Sequence, residues 1–178
     1  HALAEKLEVN GFQIFWIAVN KENYNFLLSK YPKNQILYLP KNQILLSTNL
    51  PLRDFKLKEL IYGDRVMKYN YNEGLGYLTK MQQPVVDFIN YNSISNVFGE
   101  VTWAHEILIH RMATQLRELN VRYLDMHTVR IPAGRFAFFT SEFQSDFLVS
   151  DPNYADKEIS GNAFELVKPD YLAINDEL

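Results

Sequence analysis

Apolar residues fall into two rhythms along this chain, and the points where one gives way to the other outline its elements. Ala2, Leu3 and Leu7, with Glu5, Lys6 and Glu8 between them, suit an amphipathic helix that Asn10-Gly11 stops. Phe12 to Val19 (FQIFWIAV) is then a dense apolar and aromatic run, the pattern of a strand buried on both faces of a sheet. Lys21 to Lys30 returns to helical spacing through Tyr24, Leu27 and Leu28, and Ile36 to Leu39 is again strand-like. Strands and helices alternating through short connections are the rhythm of a parallel sheet. The leading helix implies a further strand ahead of His1.

Phe55 to Met67 and Leu75 to Asn90 read as helices, with Pro84 expected to kink or divide the second, and Lys68 to Gly76 reads as a loop. The hexapeptide PKNQIL occurs at Pro32 to Leu37 and again at Pro40 to Leu45. Two copies make no solenoid, so they read as two short extended pieces. The clearest stretch is Ser95 to Leu119: strand Ser95 to Phe98, turn Gly99-Glu100, then a helix from Trp103 with Ala104, Ile107, Leu108, Met112, Leu116 and Leu119 near a 3.6-residue period. Thr102 stands where a helix cap is needed, and Val121 to Leu124 restarts the sheet. Thr128 to Phe139, through Pro132-Ala133-Gly134, suggests a hairpin-like turn. The fold class expected is α/β, a Rossmann-like open, mostly parallel sheet flanked by helices over residues 1–150. Periodicity fades from Asp151, so 151–178 reads as a C-terminal extension or linker.

Composition narrows the function classes. A net charge of −3 supplies no basic field for a phosphate polymer, which argues against nucleic acid as a partner. Without cysteine there is no disulfide framework and no thiolate chemistry, matching a reducing compartment, so a cytoplasmic location is expected. The longest apolar runs, such as Ile14 to Val19, are far shorter than the roughly 20 residues of a membrane span.

Candidate chemistry gathers where an open parallel sheet binds ligands, at the carboxyl ends of strands and the N-termini of helices. Glu100, Thr102 and His105 fall there. Glu100 can act as a base, hold a sugar hydroxyl, or simply complement the positive end of the helix dipole. His105 is a ligand contact or a satisfied structural histidine. His105, Glu106 and His110 resemble a zinc helix only loosely, because those histidines must lie four apart and these lie five apart, about 140° around a helix. Glu106 and His110 are instead expected as solvated charges on the polar face. His127, Arg130 and Arg135 surround the turn HTVRIPAGR, where two guanidinium forks could clamp an anion or join surface ion pairs. No Walker loop, G-x-G-x-x-G or G-x-S-x-G is present in the sequence.

The opening helix, strand FQIFWIAVN and following helix resemble the N-terminal half of two-domain GT-B glycosyltransferases, and VFGEVTWAHEILIHR with HTVRIPAGRFAFF is similar to bacterial capsule and surface-polysaccharide biosynthesis proteins. The resemblance spans about 140 residues at fold level, without a defined catalytic signature. It implies an acceptor-side domain that works with a second, donor-binding one to move a sugar from a nucleotide sugar to a glycan acceptor. It further implies no cofactor or metal, no nucleic acid, and association with membrane-bound assembly machinery. Glu100 or His105 would be the base, with Thr102, His127, Arg130 and Arg135 binding substrate. The competing readings are a non-catalytic α/β assembly or binding domain and a nucleotide-sugar-modifying enzyme of another class, such as an epimerase.

Overall fold

A computed structural model describes residues 2–46, 52–129 and 135–146. The fold is α/β, with two small sheets flanked by helices. Helix α1 (Ala2–Val9) ends as its sequence anticipates: Gly11 takes φ +84°, the Gly11 N–H donates to the Glu8 carbonyl at 2.9 Å, and Phe12 N–H donates to Leu7 at 3.0 Å. Such a cap needs a left-handed residue, which glycine supplies without a Cβ clash. β1 (Trp16–Ala18), α2 (Lys21–Leu28) and β2 (Ile36–Tyr38) form a parallel pair with a helical crossover, in register Trp16 with Ile36 and Ala18 with Tyr38. The run FQIFWIAV is thus less of a strand than expected. Only its last part pairs, among the described residues β1 has β2 as its single strand neighbour, and Phe12 is exposed.

The repeated hexapeptide takes two conformations. Its first copy makes a 3₁₀ turn (Lys33–Gln35) and enters β2, whereas its second forms α3 (Lys41–Leu46), not an extended piece. The difference lies in what the shared isoleucine meets. Ile36 pairs with Trp16 of β1, while the Ile44 N–H donates to the Pro40 carbonyl at 3.0 Å and its side chain enters the helical core. Tertiary partners override local preference here.

α4 (Leu57–Gly63) and α5 (Tyr71–Tyr91) pack with α6 (Ala104–Gln115) around the main core, in which Ile61, Leu78, Met81, Val85, Leu108 and Met112 are wholly buried. α5 starts earlier than the composition of Lys68 to Gly76 suggests. Asn70 caps it, its side-chain oxygen accepting the Glu73 N–H, and Gly74 lies inside the helix because a Cβ there would stand 3.2 Å from Met67 Cβ. Pro84 does not divide α5, which runs through it unbroken.

The second sheet holds β3 (Asn96–Gly99), β4 (Arg122–Val129) and β5 (Arg135–Phe139). β3 and β4 are parallel, joined through α6, and Gly99 stands opposite Asp125. β4 and β5 are antiparallel, with Val129 opposite Arg135, the pairing anticipated for the Pro-Ala-Gly turn. Residues 130–134 and the 151–178 extension lie outside the described residues. No described helix is long and apolar enough to cross a membrane.

Candidate functional site

Successive side chains of a strand alternate in direction, so Tyr123, Asp125 and His127 leave β4 on one face. That face looks toward α6, where the Tyr123 ring meets His110 edge-on at 5.1 Å. Tyr123 is buried, and its hydroxyl donates to the Glu100 backbone carbonyl at 3.1 Å. The same hydroxyl occupies the space a Cβ on Gly99 would need, so glycine at the end of β3 is a packing requirement. Burial raises the Tyr123 phenol far above its ordinary value, and the charges of Glu106, Asp125 and Glu100 raise it further.

Asp125 is fully buried, whereas the His127 side chain is 38% exposed with Nε2 2.9 Å from Asp125 Oδ1. The Gln144 side-chain nitrogen reaches both, at 3.0 Å from Asp125 Oδ2 and 2.7 Å from His127 Nε2. Gln144 sits at φ +53°, a left-handed conformation for a residue with a side chain. Two contacts from α6 hold its segment. Arg111 grips Glu142 bidentately, Nε to Oε2 at 2.8 Å and Nη2 to Oε1 at 2.6 Å, while Nη1 donates to the Phe55 carbonyl at 2.8 Å. His110 donates from Nε2 to the Thr140 carbonyl at 2.9 Å, since a carbonyl only accepts. The hydrogen bonds and charge of Arg111 hold the Glu142 carboxyl below the usual carboxylate range, against its own burial.

At the start of α6, Glu106 accepts the Trp103 N–H at 3.0 Å, and Asp64, at the end of α4, accepts the Ala104 N–H at 2.9 Å. Thr102 does not cap the helix: Trp103 occupies the cap position, and the Thr102 hydroxyl makes a long 3.5 Å bond to Glu100 Oε2 instead. Asp64 serves as the cap from a distant element and also accepts the N–H groups of Val66 and Met67. Burial would raise its carboxyl, but these backbone donors and His105 hold it below the ordinary value. Glu106 is pushed up chiefly by burial, opposed by its backbone donors and reinforced by Glu100 and Asp125.

Glu100 and Thr102 follow the carboxyl end of β3, and His127 lies in β4 two residues beyond Asp125, which stands opposite Gly99; the charges of Glu100 and Asp125 both act on Glu106. His105 is partly buried and turned toward Asp64. Burial lowers its imidazole below the ordinary value, and Asp64 opposes the shift in part. His110 is buried, not solvated as expected, because the 140–146 segment and Tyr123 cover that side of α6. His105 and His110 leave the helix in different directions. Arg135 begins β5, and Arg130 lies outside the described residues.

Sequence reasoning missed Asp64, Arg111, Asp125 and Gln144. Asp125 had a legible signal, a carboxylate inside the apolar strand YLDMH, where aspartate is disfavoured unless it has a partner. Gln144 had none, since its role depends on the latch from α6. Comparison with protein-family models, curated proteins and solved structures gives no match.

Proposed function

We propose that this chain is the acceptor-side domain of a glycosyltransferase-like protein of surface-polysaccharide biosynthesis, moving a sugar from a nucleotide-sugar donor to a glycan hydroxyl. What supports the reading most is the buried Asp125 carrying the half-exposed His127 at the carboxyl end of a parallel strand, beside the exposed Glu100. Ligands of α/β sheets gather at that edge, and a buried charge kept there is costly unless it serves a partner. In this account Glu100 takes the proton of the acceptor hydroxyl as its oxygen bonds the anomeric carbon. The bond to the leaving diphosphate breaks in the same displacement, and its charge passes to the nucleotide. His105, turned toward Asp64, supports the helix start. Thr102 and His127 hold substrate hydroxyl or phosphate groups, and Arg135 with Arg130 completes the anion clamp. A Rossmann-like arrangement, a cytoplasmic location and association with membrane-bound assembly machinery belong to the same reading. The two parallel β–α–β crossovers favour the first of these.

Calorimetric titration with a panel of nucleotides and nucleotide sugars tests it. Binding of at least one nucleotide sugar is expected, weak without the donor-binding domain and retained in Glu100→Gln, while transfer assayed with that domain present falls by about 100-fold or more. A second reading, a non-catalytic binding domain, draws on a shallow depression of about 640 Å³ at the opposite ends of β3 and β4, lined by Asn96, Arg117 and Arg122 among others and lacking an acid–base pair. Silence across the panel would favour it.

A further inference from the structure

Asp125 is wholly buried, yet its Oδ1 has no hydrogen bond among the described residues, although His127 Nε2 stands 2.9 Å away. Such an oxygen carries an uncompensated desolvation cost. Around it three polar atoms lie edge to edge. Asp125 Oδ2 is 3.1 Å from His127 Nε2 and 3.0 Å from the Gln144 side-chain nitrogen, which is itself 2.7 Å from His127 Nε2. With Asp125 ionised and the carboxamide nitrogen at its corner, neither placement of the imidazole proton satisfies this triangle. With hydrogen on Nε2, the imidazole serves Asp125 but meets another N–H donor at 2.7 Å; without it, a lone pair faces the carboxylate. Turning the carboxamide over, an exchange of O and N that leaves its shape unchanged, puts an oxygen at that corner. With Nε2 unprotonated, three acceptors then point at one another, the arrangement a cation resolves.

We propose that Asp125, His127 and Gln144 form one face of a divalent-cation site, with a carboxylate oxygen, imidazole Nε2 and a carboxamide oxygen as ligands. An octahedral ion with bonds of about 2.1 Å spaces adjacent ligand atoms by about 3.0 Å, close to all three edges measured here, whereas calcium, with bonds of about 2.4 Å, needs about 3.4 Å. Oxygen ligands with one imidazole suit manganese or a similar first-row ion. Among the described residues no three His, Asp or Glu side chains gather into a metal site, and here the third corner is a carboxamide brought from another segment. Its position is held: Gln144 keeps a left-handed backbone two residues after Glu142, which Arg111 binds, and four after Thr140, whose carbonyl His110 binds. Glu106 and Glu100 add negative charge nearby. The GT-B resemblance implies no metal, so this site goes beyond the sugar-transfer reading and stands on its own geometry, and either can fail without the other.

Titration of the chain with Mn²⁺ alone, followed by the loss of the free-ion paramagnetic resonance signal, tests the site. One ion per chain is expected, with His127→Ala and Gln144→Leu each weakening binding by about tenfold or more. Both variants change side chains at least partly exposed, and circular dichroism verifies that each remains folded. Glu118→Gln, in the 3₁₀ turn (Arg117–Leu119) that follows the C-terminal end of α6, should leave binding unchanged. Absence of stoichiometric Mn²⁺ binding to the unaltered chain, or binding indifferent to both site variants, would overturn the proposal.

Discussion

The β1–α2–β2 and β3–α6–β4 units share a connectivity and differ in what they bury. The first closes on a small apolar cluster of Ala18, Leu27 and Ile36, dressed by aromatic rings such as Tyr24 stacked on Tyr38 at 4.2 Å. No charged residue of that unit is buried among the described residues. The second buries His110, Arg111 and Asp125, and relies on Asp64 from α4 to cap its helix. Apolar packing alone suffices to close a strand–helix–strand crossover, so the charges in the second unit are not needed for its topology. They hold the 140–146 segment against β4 and place Gln144 on Asp125 and His127. The same connectivity thus serves as plain scaffold in one place and as a built polar site in the other.

The strongest way to break this contrast is to remove the latch. Arg111→Ala leaves Glu142 unpaired and the buried Phe55 carbonyl without its donor, and should cost about 3 kcal/mol in urea unfolding. It should also release Gln144 from the site. Equal stability in the variant would mean that the pair is ornamental.

The units should also part on acidification. The folded Glu142 and Asp64 carboxyls titrate below their ordinary range. Their contributions are present above the unfolded values and are lost as pH falls through the folded ones. Glu106, held above its ordinary value, acts in the opposite sense: its contribution is full at low pH and is lost as pH rises through the raised folded value. Glu142→Gln should therefore flatten the acid limb of the stability curve, measured by thermal melts from neutral pH downward. An unchanged slope would remove the latch from the account. The smallest effect belongs to the plain unit: Tyr24→Leu forfeits the stack on Tyr38 and should cost about 1 kcal/mol, with no change in Mn²⁺ binding.

Much of the frame was legible. The 3.6-residue period from Ala104 marks α6 and Gly11 marks the end of α1, because each depends on local backbone preference or on one apolar face, and the hairpin-like reading of Thr128 to Phe139 agrees with the antiparallel pairing of β4 and β5. What was illegible depends on residues far apart in sequence. Two copies of PKNQIL diverge because Ile36 meets β1 and Ile44 meets a helical core. Gly74 is helical because α5 passes close to Met67 and Ile61, and His110 is buried because a segment 30 residues on folds over it. The site divides the same way. Glu100 and Thr102 could be placed from the strand end ahead of the helix, and His127 only as part of the turn HTVRIPAGR although it lies inside β4, while Gln144 and the cap from Asp64 could not be placed.

The central claim is that ligand chemistry resides at the carboxyl ends of β3 and β4. Amide chemical shifts recorded during titration with the nucleotide-sugar panel test it most directly. The account predicts shifts centred on Gly99 to Thr102 and Asp125 to His127. Shifts confined to the depression around Asn96, Arg117 and Arg122, or to the β1–α2–β2 unit, would contradict it.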